Sequence, residues 1–243
     1  YRLRETPWGE MSYIDYKHKI EFGKNEYDEI AKYCSELEID WFASCWDTDS
    51  LNFLLEYEPP VLKLASASIT DKNLLEAYVQ TKLPIIMSTG MSTMEEIKKA
   101  HKILNTNPLA ILHTTSTYPC PPEELNLNMI KTLIKEFPNN PIGYSGHESG
   151  LSTSIAAAVL GAKIIERHIT LSRSIRSEDA KFSLEPEEFK QMTDKINSFY
   201  LSKGKDTFLD RNSEKLMKNY RRSIYVVKDV EKGSQFNEEN LKK

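Results

Sequence analysis

Pro84-Ile85-Ile86-Met87-Ser88-Thr89-Gly90-Met91-Ser92-Thr93-Met94-Glu95, with the later run Leu109-Ala110-Ile111-Leu112-His113-Thr114, decides the fold. A continuous apolar run ends in the Ser88 hydroxyl, and a glycine turn follows it. An amphipathic helix ending near Leu104 then leads to a second apolar run that ends in His113 and Thr114. Ser92 and Glu95 have the spacing of a capping box, in which each side chain satisfies an amide left free by the first helical turn. Continuous apolar strands alternating with amphipathic helices predict a parallel sheet covered on both faces.

The same unit recurs on either side. The spacing predicts a helix over Asn25 to Leu37 running into a strand over Trp41 to Trp46, then a strand over Val61 to Ala65 and a helix over Asp71 to Gln80. Beyond the central unit it predicts a helix over Asn128 to Phe137, a strand over Pro141 to Ser145 and a helix over Thr153 to Leu160 stopped by Gly161. A strand over Ala162 to His168 and a helix over Glu185 to Tyr200 complete the series. Six such units fit a doubly wound open sheet or a (β/α)8 barrel. The barrel is favoured because the strands end in Ser44, Lys63, Ser66, Ser88, His113, Thr115, Ser145, His147, Glu166 and His168, and a barrel gathers such ends at one mouth. No glycine-rich nucleotide loop of the G-x-G-x-x-G or G-x-x-x-x-G-K kind occurs. Residues 1–200 are therefore expected to form an α/β barrel domain, 201–222 a charged linker, and 223–243 the first hairpin of another small domain.

Composition bounds the function. Of 243 residues 40% are hydrophobic and 28% charged, which excludes a disordered or fibrous chain. A formal charge of -4 argues against a nucleic-acid binder. Three cysteines, Cys34, Cys45 and Cys120, share no recurring spacing and suit a reducing cytoplasm. No run reaches the roughly 18 apolar residues of a membrane helix. The start at Tyr1 carries no initiator Met or leader, which leads us to expect a piece of a longer chain.

His147 and His168 end consecutive strands, so a barrel would bring both imidazoles to its mouth, where they could hold a divalent metal or stay as hydrogen-bonded structural residues. Glu166 and His168 share one face of their strand, with Arg167 on the other. A buried carboxylate needs a cation, and Lys63, Arg167 or a metal could supply it. Lys63, inside an apolar strand, calls for an anion: an anionic substrate group, an ion pair with Glu166, or else a Schiff-base role. Ser88-Thr89-Gly90 and Ser145-Gly146-His147 offer backbone amides and hydroxyls to phosphate or carboxylate oxygens.

Five strings, Lys63-Leu64-Ala65-Ser66-Ala67-Ser68, Ile86-Met87-Ser88-Thr89-Gly90-Met91, Leu112-His113-Thr114-Thr115-Ser116-Thr117-Tyr118-Pro119, Gly143-Tyr144-Ser145-Gly146-His147 and Ile165-Glu166-Arg167-His168, in this order resemble the sialic acid synthase family of nonulosonate synthases. The likeness covers about residues 6–200, and the tail from Tyr220 resembles the entry to that family's antifreeze-like domain. It implies a TIM barrel, here lacking the region of its first two strands, that condenses phosphoenolpyruvate with an N-acetylmannosamine-type aldose and releases phosphate. It also implies a homodimer and Mn²⁺ or Mg²⁺ on His147 and His168. Phosphoenolpyruvate would meet Lys63, Ser66, Ser88, Ser116 and Ser145, the sugar would meet Tyr118 and Asp179, and Glu166 or Asp179 would move protons. Ser68 stands where some members carry Glu, and Ser116 where some carry Asn. Three other readings stay open: another two-His metal barrel enzyme, such as an aldose isomerase or aldolase; a non-catalytic descendant of the synthase; and a spore-coat or polysaccharide-pathway relative with a different acceptor.

Overall fold

The computed structural model describes residues 3–6, 8–175, 177, 179–205 and 211–243. It begins with an antiparallel pair, β1 (Leu3–Thr6) and β2 (Gly9–Ser12), turning at Gly9 with φ 100°. Helix α1 (Tyr13–Ile20) follows, and its Ser12 cap accepts from the Asp15 amide. Neither the hairpin nor α1 is foreshadowed by the strand and helix periodicity, because both are short and mostly exposed. Helices α2 (Lys24–Glu36) and α3 (Thr48–Leu55) come next.

The main sheet then builds up as β3 (Leu62–Leu64), α4 (Lys72–Gln80), β4 (Ile85–Ser88), α5 (Met94–Leu104), β5 (Leu109–Thr114), α6 (Met129–Glu136), β6 (Ile142–Gly146), α7 (Ser152–Val159), β7 (Ile165–Arg167) and α8 (Pro186–Lys203). Among the described residues its five strands are all parallel, in the order β3-β4-β5-β6-β7, and they form a half-barrel. Leu62, Leu64, Ile85, Met87, Ile111 and Ile142 are buried on it, and Leu74, Tyr78, Ile97, Leu104, Ile130 and Leu133 of the helices join them in one core. Every residue of β5 and β6 is buried, as a strand covered on both faces requires.

Three expectations need correction. The strand over Trp41 to Trp46 reduces to a single bridge, Ser44 with Lys63. At this edge a side chain takes over ladder bonds: the Tyr78 hydroxyl accepts from the Cys45 amide at 3.3 Å and donates to the Lys63 carbonyl at 3.0 Å. The capping box sits one residue later, with Thr93 as the cap and Glu96 as its partner. Ser92 instead donates to the Gly90 carbonyl, and Glu95 pairs with Lys99. The strand over Ala162 to His168 shortens to β7, since Gly161, at φ 112°, still turns the chain before it.

The chain divides into two compact units, 1–200 and 201–243. The second contains α9 (Asn212–Lys215), a 3-10 turn over Leu216–Tyr220, and the two-residue antiparallel strands β8 (Tyr225–Val226) and β9 (Leu241–Lys242). Within the hairpin expected over 223–243 the paired residues are those of β8 and β9, and part of the expected linker, 206–210, lies outside the described residues. No residue of this unit whose burial is described is buried. No helix among the described residues is long and apolar enough to cross a membrane.

Candidate active site

Because the strands are parallel, their C-terminal ends lie on one side of the sheet. Lys63 leaves β3 between Leu62 and Leu64, whose side chains take the opposite face. It is 8% exposed; its Nζ donates to Ser88 Oγ at 2.9 Å and lies 3.6 Å from Glu166 Oε2. Ser145 Oγ donates to the other Glu166 oxygen at 2.7 Å. Strands β3 and β7 are the two ends of the sheet, and four steps of a flat sheet would separate them by about 19 Å. The contact is possible because the sheet curls, so Lys63, Ser88, Ser145 and Glu166 form one connected network across its concave side.

Beside this network Ser66 Oγ accepts from the Gly90 amide at 2.9 Å. A Cβ on Gly90 would overlap Ser116 Oγ and stand 2.9 Å from Ser66 Oγ, so glycine is what lets the two hydroxyls converge. Ser116 Oγ is buried without a hydrogen-bond partner among the described residues. A buried hydroxyl left unpaired is unfavourable, and an oxygen of a bound anion would satisfy it.

The two histidines follow β6 and β7. Their ring centroids are 5.3 Å apart at 72°. His147 is buried and its Nδ1 lies 2.8 Å from the Thr115 carbonyl, which makes Nδ1 the protonated nitrogen and leaves the Nε2 lone pair free. Burial lowers its pKa and favours the neutral, ligating form. His168 Nδ1 is 3.4 Å from Asp179 Oδ2. Tyr118 packs 4.1 Å from the His147 ring and Phe182 5.0 Å from the His168 ring. These two imidazoles suit a borderline divalent ion. Among the described residues no group of three or more His, Cys, Asp or Glu could hold a metal ion, so these two nitrogens are the donors the site presents.

The structure thus brings Lys63, Ser88, Ser145 and Glu166 into direct contact, sets Ser66 and Ser116 around Gly90, and gathers Tyr118, Asp179, His147 and His168 together. His113, although at a strand end, stays out of the mouth: it is buried with Nε2 2.7 Å from the Leu125 carbonyl. Arg167 does not serve Glu166 and turns instead to Glu148, 3.0 Å away. Glu148, Tyr144, Ser154 and Phe182 escape a reading of strand ends. The signals for the first of these were a carboxylate directly after His147 and an unpaired arginine between Glu166 and His168.

The chain matches the NeuB family over residues 1–207. The N-acetylneuraminate-9-phosphate synthase of Drosophila melanogaster is 39% identical over 203 residues, covering 82% of this chain and 54% of that protein. A pseudaminic acid synthase of Campylobacter jejuni is 40% identical over 206 residues, covering 83% of this chain and 59% of that protein. The chain spans a little over half the length of these curated relatives. The crystal structure of N-acetylneuraminic acid (sialic acid) synthetase from Leptospira borgpetersenii, in complex with citrate, superposes with a TM-score of 0.76 at 33% identity, covering 83% of this chain and 71% of that one.

Proposed function

This chain belongs to the NeuB family, and we propose on that premise that it condenses phosphoenolpyruvate with an N-acetylmannosamine-type aldose to give a nonulosonic acid and phosphate. The observation that carries the reading is the Lys63–Ser88–Glu166–Ser145 network on the concave side of the sheet, which joins a buried ammonium to a carboxylate at a mouth that also holds an imidazole pair.

Lys63 and the hydroxyls of Ser66, Ser88, Ser116 and Ser145 take the phosphate and carboxylate of phosphoenolpyruvate, a dense anion that pays for the burial of Lys63. Tyr118 and Asp179 contact the sugar and set its aldehyde against the enol. His147 and His168 would hold Mn²⁺ or Mg²⁺, which supplies Lewis-acid polarisation of the aldehyde when bound. Carbon 3 of the enol forms the new C–C bond to the aldehyde carbon, whose oxygen gains a proton from Asp179. Water adds at carbon 2 and gives one proton to Glu166; the hydroxyl so formed gives its proton to the departing phosphate as the carbon 2–oxygen bond breaks, leaving the keto group of the product. Lys63, already hydrogen-bonded to Ser88, stabilises the departing charge.

The half-barrel is read as part of a full (β/α)8 barrel, and residues 223–243 as the start of an antifreeze-like domain. The active form is proposed to be a cytoplasmic homodimer. Phosphoenolpyruvate labelled with ¹⁸O at the bridging oxygen tests the chemistry. The expected phosphate carries the label and appears only with the sugar; unlabelled phosphate, or release without sugar, would mean P–O hydrolysis and overturn the reading.

A further inference from the structure

Behind the imidazole pair, on the helix-facing side of the sheet, lies a buried polar cluster that none of the proposed steps uses. The Arg167 side chain is fully buried and Glu148 is 2% exposed. Arg167 Nη1 donates to Glu148 Oε1 at 3.0 Å, to Ser154 Oγ at 2.8 Å and to the Gly150 carbonyl at 2.9 Å. Its Nη2 donates to the Glu148 carbonyl at 2.5 Å and to the Phe182 carbonyl at 3.4 Å. Glu148 also accepts from the Tyr144 hydroxyl at 2.8 Å and from Ser154 and Thr153.

We propose that the Glu148–Arg167 pair is a positioning device that sets His147 and His168 at metal-binding separation. The β6–β7 ladder ends at Gly146 opposite Arg167, so both histidines stand one residue beyond its last pair. The tie between the two strand ends continues through Arg167, which is next to His168 and grips the residue next to His147 by both backbone and carboxylate. The same guanidinium holds the carbonyl of Phe182, whose ring packs on both imidazoles. From the other side the Cys120 amide donates to the His147 carbonyl at 3.0 Å. Gly146 is part of the device: a Cβ there would overlap Glu148 Oε2 and stand 2.7 Å from the Tyr144 ring, so only glycine lets the carboxylate fold back beneath the strand. A buried ion pair is a poor source of net stability, and this one leaves Arg167 Nε buried without a hydrogen-bond partner among the described residues. Its geometry, a planar fork bridging two chain ends, is what a lysine or an apolar pair would not reproduce.

The inference rests on reading the two histidines as metal ligands, and its test separates the two. In the full-length protein, Glu148→Gln and Arg167→Lys are expected to weaken Mn²⁺ binding, measured by calorimetry without substrate, by roughly tenfold or more. The KM for phosphoenolpyruvate, set at the Lys63 end, is expected to change less than about threefold, a split that general loosening would not give. Tyr144→Phe, which removes one hydroxyl from Glu148, carries the test if Arg167→Lys does not fold. Parent-like Mn²⁺ affinity in folded variants would overturn the proposal. If the parent itself binds no Mn²⁺, the metal reading falls, and crystal structures of the metal-free variants decide the positioning role. A changed His147–His168 ring separation supports it, and an unchanged 5.3 Å overturns it.

Discussion

Lys63 on β3 and Glu166 on β7 belong to opposite ends of a five-stranded sheet, yet their side chains meet at 3.6 Å. The pair closes the concave side of the half-barrel and neutralises a buried ammonium while leaving it part of its donor capacity. An incoming anion therefore competes with Glu166 for the Lys63 ammonium and takes up the donor capacity that the pair leaves open.

Lys63→Ala removes charge-assisted hydrogen bonds of about 1.5–3 kcal/mol, which corresponds to roughly 10- to 100-fold. The loss should appear in KM for phosphoenolpyruvate, with KM for the sugar nearly unchanged. Steady-state kinetics with each substrate varied in turn would show this, and the reverse pattern would reassign Lys63 to the sugar.

Gly90→Ala places a methyl where Ser66 and Ser116 converge. Overpacking of this kind costs about 1–3 kcal/mol, and the expected result is a modest fall in melting temperature with a large loss of phosphoenolpyruvate affinity. Ser116→Ala should keep the melting temperature and weaken phosphoenolpyruvate alone. Calorimetric titration of both variants with phosphoenolpyruvate checks the cradle, which parent-like binding by Gly90→Ala would disprove.

His147→Ala or His168→Ala should abolish stoichiometric Mn²⁺ binding and lower kcat by about 100-fold or more, the equivalent of several kcal/mol of Lewis-acid assistance. Equilibrium dialysis with Mn²⁺, read beside turnover, tests both halves. Near-normal turnover in either variant removes the metal assignment.

Burial lowers the His113 pKa below its ordinary 6.5. The unfolded chain therefore binds the proton more readily, so this contribution to stability is complete above pH 6.5 and is lost as pH falls toward the lowered folded value. His147 shifts in the same direction, also through burial. Urea unfolding between about pH 7.5 and pH 5 should show stability falling with acid, less steeply in His113→Gln. Identical slopes in parent and variant would exclude His113 as a contributor.

Much of the site is legible in the sequence because it interrupts apolar strands. Lys63 between leucines, Ser88 and Ser145 at strand ends, and Glu166 and His168 two apart each break a run for which the core offers no reason. Period-two alternation correctly separates Glu166 from Arg167, but alternation gives a face and not a partner. Arg167 and Glu148 are 19 residues apart and meet only through the β6–β7 register. The capping box shifts by one because Ser92/Glu95 and Thr93/Glu96 offer the same spacing, and only the backbone chooses Thr93. Residues 41–46 have strand composition, but the Tyr78 hydroxyl displaces the ladder there.

The measurement that reaches the central claim most directly is phosphate release from phosphoenolpyruvate by the full-length protein with Mn²⁺, with and without N-acetylmannosamine, repeated after chelation. The account predicts release that requires the sugar, stops with the chelator, and in Lys63→Ala needs a higher phosphoenolpyruvate concentration. Absence of release with any N-acetylated amino sugar of this class, or release indifferent to the sugar, would contradict it.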